Sequence, residues 1–178
     1  EVTLGILGLG RIGSRLARAA SGLVARVIYH DVREIPGDAR FGAEPVDETE
    51  LYERSDVLSI HVDGRASNRH AVGAAQLARM REDAVLINAS RGFVLDADAL
   101  AQRLHARPSM TAMLDVHDPE PIDGDNPLVG LPNAHLSPHI AASTRRAHER
   151  MSRVVEDVWR VLRGEEPVYE ARAGDIIR

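Results

Sequence analysis

The chain has 178 residues and a mass of 19.4 kDa, which fits one domain of ordinary size. Hydrophobic residues make up 44% of the sequence and charged residues 28%, and no apolar run approaches the ~20 residues that a bilayer-spanning helix needs. A membrane-spanning role is therefore excluded. The net charge is −5 and the basic residues are dispersed, so the sequence predicts no nucleic-acid partner.

Two reactive residue types are missing. Cysteine is absent, which excludes disulfides, thiol nucleophiles and thiolate zinc sites. Lysine is also absent, since all 22 basic residues other than histidine are arginine. This excludes a lysine Schiff base and the lysine of a Walker A loop. Because the sequence opens at Glu1 without a Met or a signal-type apolar stretch, we expect a segment of an intracellular, cytoplasmic protein.

Short apolar runs alternate with helical patterns along most of the chain. The runs predict six strands, at residues 2–7, 26–31, 57–62, 84–88, 110–116 and 134–137. The patterns between them predict helices at 12–20, 49–54, 74–80 and 98–106. This alternation is typical of βαβ units, so the predicted fold class is α/β, a doubly wound parallel sheet with helices on both faces.

A longer helix is predicted near the C-terminus, between Ser143 as its N-cap and Gly164 as its stop. Its apolar residues fall on one stripe, which we expect to pack on the sheet; they are Ala147, Met151, Val154, Val155, Val158, Val161 and Leu162. Residues 118–132, with four prolines, two glycines and three aspartates, predict an ordered but irregular loop.

A glycine-rich loop follows the first predicted strand and opens a helix. Glycines at Gly8, Gly10 and Gly13 permit a tight turn, close approach of a pyrophosphate, and packing of helix on strand. A glycine turn in another kind of α/β unit is the alternative. Asp31 ends the second predicted strand, where a carboxylate accepts hydrogen bonds from ribose hydroxyls and repels a 2′-phosphate. NAD is therefore favoured over NADP, although Arg33 could instead meet a 2′-phosphate.

Three chemically useful residues follow later predicted strands, at the edge where ligands of open α/β sheets bind. Arg91 carries a fork of donors suited to a carboxylate, and the alternative is a surface salt bridge. His139 could donate a proton near neutral pH, and the alternative is a satisfied core histidine. Glu120 could pair with His139 or be a solvated loop carboxylate. A metal site built from His117, His135 or His139 is not favoured, because nothing specifies a closed ligand set.

With these motifs the chain resembles the NAD-binding domain of the D-isomer-specific 2-hydroxyacid dehydrogenases, a Rossmann-type dinucleotide-binding domain. The likeness runs from Leu4 to about Gly164. The motifs that carry it are Gly-Leu-Gly-Arg-Ile-Gly at 8–13, Ser-Ile-His-Val at 59–62, Ile-Asn-Ala-Ser-Arg-Gly at 87–92, Leu-Asp-Val at 114–116, Glu-Pro at 120–121 and Ser-Pro-His-Ile at 137–140.

The resemblance implies roles for matching residues. Arg91 would bind the substrate carboxylate, His139 would give or take the hydroxyl proton, and Glu120 would hold the imidazole and favour its protonated form. Hydride would move between NAD and carbon 2 of a 2-hydroxy or 2-keto acid. The remaining positions would bind the cofactor: Gly8, Gly10, Arg11, Ile12 and Gly13 at the pyrophosphate, Asp31 at the ribose, Asp115 at the nicotinamide end, and His61, Val62, Ala89, Ser90, Arg91, His139, Ala141 and Ala142 along the trough.

The chain departs from the family pattern in two residues and in size. Asp63 stands where the family commonly has proline, and His117 stands where an aromatic residue commonly follows Leu-Asp-Val. Family members have a second lobe that closes over the substrate, and most of that lobe is absent here. We therefore expect residues 1–178 to form a single NAD-binding domain, with a tail from about residue 165, that binds cofactor but turns over poorly.

The resemblance leaves the substrate open. The Ala-Ser-Thr run at 142–144 favours a D-3-phosphoglycerate dehydrogenase, with a glyoxylate or hydroxypyruvate reductase as the alternative. A non-catalytic NAD-sensing scaffold of the same fold is a further alternative, but Arg91, Glu120 and His139 argue against it because a sensor needs no proton donor. The family also implies a homodimer.

Overall fold

The structure, a computed structural model, describes residues 1–168. The chain divides into two compact units, the first from Glu1 to Pro138 and the second beginning at His139. Within residues 1–168, none of the helices combines the length and the apolar composition needed to cross a membrane.

The first unit is built on one sheet of seven parallel strands in the order β3-β2-β1-β4-β5-β6-β7. The strands are β1 (Thr3–Leu7), β2 (Arg26–His30), β3 (Glu44–Pro45), β4 (Val57–Ile60), β5 (Val85–Asn88), β6 (Thr111–Leu114) and β7 (Ala134–Leu136). The chain runs outward from β1 to β3 and then crosses back to β4, which lies beside β1. The carboxyl ends of β1 and β4 therefore flank the crevice in which ligands of such sheets bind.

Four helices connect the strands: α1 (Arg11–Ala20), α2 (Glu48–Arg54), α3 (Ala74–Arg79) and α4 (Ala97–Ala106). Two of them begin at aspartate caps, because Asp47 accepts from the Glu50 N–H at 2.8 Å and Asp96 accepts from the Ala99 N–H at 3.0 Å. Such caps satisfy N–H groups that have no partner inside the helix.

The sheet is buried on both faces. Successive strand residues point to opposite faces, and the neighbours Ile28 and Tyr29 belong to two different buried clusters. Tyr29 packs in the cluster that contains Ala17 of α1, whereas Ile28 packs in the cluster that contains Leu51 of α2 and Leu100 of α4. The predicted α/β fold with helices on both faces of a parallel sheet is confirmed.

The elements of the first unit differ from the predictions mainly at their ends. All six predicted strands and four predicted helices are present, with bounds that shift by one or two residues. β3 was missed, because two residues that include a proline carry no apolar run. Residues 118–132 contain no helix or strand, as predicted.

The second unit corrects three predictions about the closing helix. It contains two helices, α5 (Arg145–Ser152) and α6 (Val154–Leu162), because the chain tightens at Arg153, whose N–H donates to the Arg150 carbonyl three residues back. Thr144 rather than Ser143 caps α5, with its hydroxyl accepting from the Ala147 N–H at 3.1 Å.

The apolar stripe of α5 and α6 is exposed, so its predicted burial is wrong. The exposed side chains include Met151, Val154, Val155, Val158, Val161 and Leu162. A stripe of this kind shows that a helix has one apolar face, but the pattern alone does not say which surface covers it. Gly164 ends this helical segment with a φ of +74°, as predicted.

Candidate active site

The glycine loop joins the carboxyl end of β1 to α1, and its glycines are required by geometry. Gly8 has a φ of +92°, and a Cβ there would lie 3.0 Å from the carbonyl carbon of His61. A Cβ on Gly13 would clash with the Gly8 carbonyl oxygen. Gly10 caps α1 without a side chain and has open space beside it, since the nearest atom to a Cβ would be the Arg33 Nη2 at 3.9 Å. The first N–H groups of α1 are thus accessible to a pyrophosphate.

Arg11 and Ile12 form the first turn of α1, and both are exposed. Their backbone N–H groups belong to the helix end that carries the positive pole of the helix dipole. This placement agrees with the predicted contact to a pyrophosphate, which stays a prediction.

Asp31 ties the end of β2 to the glycine loop. One carboxylate oxygen accepts from the Leu9 N–H at 2.8 Å and the other from the Arg33 N–H at 2.9 Å. The Asp31 side chain is only 7% exposed, and the Arg33 Nε lies 3.6 Å from it. A carboxylate offers about four lone-pair positions, so Asp31 keeps acceptor capacity for ribose hydroxyls.

The segment after β4 forms the opposite wall of the crevice. The His61 N–H donates to the Leu7 carbonyl at 2.8 Å, and its backbone packs against Gly8. The His61 Nε2 lies 2.8 Å from the Ser59 hydroxyl, and burial lowers the pKa of this histidine. His61 and the half-buried Val62 therefore present a neutral wall to the crevice.

A buried asparagine shapes the turn that carries Arg91. The Asn88 side-chain oxygen accepts from the Ser90 N–H at 3.0 Å and from the Ser90 hydroxyl at 2.8 Å, and its amide donates to the Arg91 carbonyl at 3.1 Å. Asn88 is 1% exposed and Ser90 is also buried, whereas Ala89 and Arg91 are exposed. Sequence analysis did not assign a role to Asn88. The available signal was a polar residue that ends an apolar strand.

The Arg91 side chain leans toward the segment after β4. A Cβ on Gly64 would lie 3.1 Å from the Arg91 Cγ, so Gly64 leaves the space that the arginine stem fills. The Arg91 Nη1 donates to the Ser90 carbonyl at 2.7 Å. Arg91 therefore lies at the same crevice edge as His61 and Val62.

His117 connects three segments of the first unit. Its backbone N–H donates to the Glu120 Oε1 at 2.9 Å, and its ring Nε2 donates to the Ser137 carbonyl at 2.9 Å. A Cβ on Gly92 would clash with the His117 carbonyl, so the turn after Arg91 packs directly on this residue. The exposed Glu120 thus lies at the strand edge that also carries Arg91.

Asp115 lies beside this connection and is 8% exposed. Its N–H donates to the Asn88 carbonyl at 2.9 Å, and its carboxylate accepts from the Ser137 hydroxyl at 2.5 Å. These bonds fix Asp115 between the ends of β5 and β7.

His139 begins the second unit, where Ala141 and Ala142 follow it. His139 has a φ of +54°, which is uncommon outside glycine, and all three residues are exposed. Within residues 1–168, no group of three or more His, Asp or Glu side chains is arranged to hold a metal ion.

These features define a class of protein. A glycine turn with positive φ, an accessible helix N-terminus and a carboxylate at the end of β2 surround the crevice of a parallel sheet, which is the arrangement of a Rossmann-type dinucleotide-binding domain.

Comparison with known proteins gives the family. Residues 1–141 match the model of the D-isomer specific 2-hydroxyacid dehydrogenase NAD binding domain. The chain is 41% identical over 167 residues to the glyoxylate reductase of Korarchaeum cryptofilum, a match that covers 93% of this chain and 50% of that protein. It is 38% identical to the D-3-phosphoglycerate dehydrogenase of Methanocaldococcus jannaschii, over 92% of this chain and 32% of that protein.

A solved structure agrees with this result. The crystal structure of a glyoxylate reductase from Paecilomyes thermophila superposes with a TM-score of 0.88 at 32% identity, over 97% of this chain and 53% of that one. The chain belongs to the D-isomer specific 2-hydroxyacid dehydrogenase family, as its NAD-binding domain. The predicted family and cofactor are confirmed. The chain spans about half the length, or less, of these relatives.

Proposed function

We propose that this chain is the cofactor-binding half of an enzyme that transfers hydride between NAD and carbon 2 of a D-2-hydroxy or 2-keto acid. The observation that carries the proposal is the placement of the glycine loop, Asp31 and Arg91 around one crevice. When bound, the cofactor would supply the hydride as NADH or accept it as NAD⁺, according to the direction of the reaction. Preorganised contacts to its phosphates and ribose, with one fixed cation for the substrate, are the parts that such a reaction needs.

We assign the substrate contacts to Arg91 and His139. The Arg91 guanidinium would hold the substrate carboxylate in a bidentate pair and polarise the adjacent carbonyl. His139 would donate the proton that the developing alkoxide takes up, and Glu120 would favour the protonated imidazole. The bonds from Asn88 to Ser90 and Arg91 support this assignment, because they fix the backbone from which the guanidinium extends.

Two classes of substrate fit this proposal. One is glyoxylate or a related small keto acid, and the other is the phosphorylated substrate of a D-3-phosphoglycerate dehydrogenase. Relatives of both kinds match at similar identity, 41% and 38% in the two cases above. The assignment as a glyoxylate reductase is thus supported at least as well as the assignment as a D-3-phosphoglycerate dehydrogenase, which the Ala-Ser-Thr run at 142–144 favoured. Steady-state rates with glyoxylate, hydroxypyruvate and 3-phosphohydroxypyruvate, in the full-length protein that contains this domain, decide between them.

The experiment that tests cofactor binding is a fluorescence titration of residues 1–178 with NADH and with NADPH. Saturable NADH binding with slow or no turnover of keto acids is the expected result, because the second lobe of the family supplies closure over the substrate. Turnover at the rate of full-length relatives would contradict the expected dependence on that lobe. Absence of saturable binding would contradict the proposed cofactor site.

A non-catalytic NAD sensor is separated from the enzyme by His139→Ala in the full-length protein. We expect the variant to lose turnover by at least ~100-fold while its NADH affinity stays within about twofold, since general acid catalysis contributes on that scale. An unchanged turnover rate would contradict the assignment of His139. If the full-length protein has no turnover, and if His139→Ala changes none of its NAD-dependent properties, the NAD sensor is favoured.

A cytoplasmic homodimer completes the proposal. The family resemblance supports it, and light scattering coupled to size-exclusion chromatography measures the mass directly. A mass of one chain for the full-length protein would contradict the dimer.

A further inference from the structure

Asp63 and Arg65 form an ion pair in the loop after β4. The Arg65 Nε donates to the two Asp63 carboxylate oxygens at 2.8 and 3.1 Å, and its Nη2 donates to one of them at 2.5 Å. Asn68 donates to the Asp63 carbonyl and carboxylate, both at 3.0 Å. The loop therefore holds the guanidinium through several charge-assisted bonds rather than through one loose contact.

The Asp63–Arg65 pair and the Asp31–Arg33 pair both lie in segments that adjoin the glycine loop. The glycine loop separates the two pairs, since Gly8 packs against His61 on one side and Leu9 donates to Asp31 on the other. The hydrogen bond from Arg65 is the main cause that lowers the pKa of Asp63, and the charge of Arg33 adds to it. The hydrogen bond to Asp63 raises the pKa of Arg65, and the charge of Asp31 adds to it. The four charges therefore act on one another at the end of the crevice where Asp31 would bind the ribose.

We propose that Asp63 is a second determinant of NAD selectivity beside Asp31, because it holds Arg65 in an ion pair and so withholds a cation from the 2′-phosphate of NADP. The inference rests on the proposed cofactor site. Without Asp63, the uncompensated Arg65 guanidinium would join Arg33, whose Nε lies 3.6 Å from the Asp31 carboxylate, as a second cation near Asp31. Their charge would then favour the cofactor that carries the additional phosphate.

Neither residue is assigned a role in catalysis, so binding is the direct measure. The ion pair is partly exposed, and such pairs contribute little to stability. Its effect on selectivity depends instead on where its charges lie. The ratio of the NADPH and NADH dissociation constants isolates this effect, because contacts common to both cofactors cancel.

The experiment measures this ratio by fluorescence titration of residues 1–178 at low salt. Asp63→Asn frees Arg65 and should lower the ratio by about three- to tenfold, the scale of one unit charge at the edge of a binding site. Arg65→Gln leaves Asp63 uncompensated and should raise the ratio by about two- to fivefold. The double variant should return to within about twofold of the unchanged chain, and the separate effects should shrink at high salt.

Asp83→Asn is the matched control. Asp83 is an exposed aspartate two residues from its partner Arg81, at 3.6 Å, and it lies before β5 at the opposite end of the strands. The control changes the net charge by the same amount as Asp63→Asn, and we expect the ratio to stay within about twofold of that of the unchanged chain.

Two outcomes overturn the proposal separately from the cofactor site. If NADH binds saturably but Asp63→Asn gives the same ratio as Asp83→Asn, Asp63 does not select the cofactor. If Arg65→Gln and Asp63→Asn move the ratio in the same direction, the effect does not pass through the charge of Arg65. Absence of saturable NADH binding in the unchanged chain overturns the proposed function and the selectivity role together.

Discussion

Position 8 requires glycine for two separate reasons, its conformation and its contact with the segment after β4. The substitution Gly8→Ala places a Cβ 3.0 Å from the His61 carbonyl carbon and forces alanine to a φ of +92°. We expect NADH affinity to fall by at least ~10-fold, because a displaced loop no longer presents the N-terminus of α1 to the pyrophosphate. Fluorescence titration with NADH measures the loss.

Gly22→Ala separates the two reasons. Gly22 has a similar φ of +89°, but nothing lies within 4 Å of a Cβ there. It therefore carries the conformational cost of about 1 kcal/mol without the contact. NADH affinity within about twofold of the unchanged chain is expected for this control; an equal loss in both variants would show that the contact with His61 is unimportant.

The half-buried His61 makes the stability of the fold depend on pH. Burial lowers its pKa below the ordinary value of 6.5, so the folded chain favours the neutral ring. Below pH 6.5 the unfolded chain takes up the proton first, and the free energy of unfolding therefore falls as the pH falls from neutral through the lower pKa of the folded chain.

Urea unfolding between pH ~5.5 and ~7.5 tests this linkage in His61→Gln, which removes the titrating ring but keeps a polar partner for Ser59. The variant should lose less stability on acidification than the unchanged chain. His105→Gln, at an exposed position on α4, should leave the pH dependence unchanged. A parallel pH dependence in His61→Gln and the unchanged chain would contradict the assignment.

At the scale of elements, the start of α5 depends on one hydroxyl. Thr144 accepts from the Ala147 N–H, whereas the Ser143 N–H bonds to the Ile140 carbonyl at 2.8 Å in the preceding turn. Thr144→Ala should destabilise α5 by about 1 kcal/mol. Amide hydrogen exchange within Arg145–Ser152 measures this as faster exchange. Ser143→Ala is the control, and faster exchange there but not in Thr144→Ala would make Ser143 the cap.

The C-terminal end of α4 shows what long-range contacts add to an element. The Asn133 amide donates to the Leu104 carbonyl in α4 at 3.1 Å and to the Met110 carbonyl after the helix at 2.9 Å. The same amide nitrogen lies 3.4 Å from the Arg107 carbonyl oxygen. Carbonyls in the last turn of a helix have no partner inside it. A residue more than twenty positions away along the chain thus binds the Leu104 carbonyl, which no local pattern near α4 could have predicted.

At the scale of the whole molecule, the two units differ in burial. Every buried apolar side chain of residues 1–168 lies in the first unit, and the second unit contains none among its described residues. Local stability follows buried apolar contact, so the second unit should unfold at lower denaturant than the first. Trp159 in α6 is the single tryptophan of the sequence and reports on the second unit.

Leu86→Ala tests this difference. Leu86 in β5 is fully buried, and its truncation should cost about 2–5 kcal/mol. The unfolding midpoint from far-ultraviolet circular dichroism should fall, while the transition from Trp159 fluorescence should stay unchanged. Coincident transitions that shift together would show one cooperative unit instead.

Several features follow from the sequence because they depend on neighbours in the chain. Strand and helix periods predicted six of the seven strands and the four helices between them, and the glycine loop and Asp31 were predicted to belong to one cofactor site, at which the Leu9 N–H joins them. The roles of Arg91, Glu120 and His139 stay predictions. The break at Arg153 was missed because the apolar stripe continues through it. The cap at Thr144 was missed because its neighbour Ser143 is also a residue type that caps helices.

The sequence alone determined the α/β class, the family and the identity of the candidate residues, since periodicity and short motifs are local records of burial and backbone conformation. Tertiary structure decided what those residues touch. The bond from His117 to the Ser137 carbonyl, the bond from Leu9 to the Asp31 carboxylate, and the packing of the Arg91 stem against Gly64 all join segments that follow different strands. Such contacts arise only when a parallel sheet brings the ends of separate strands to one edge.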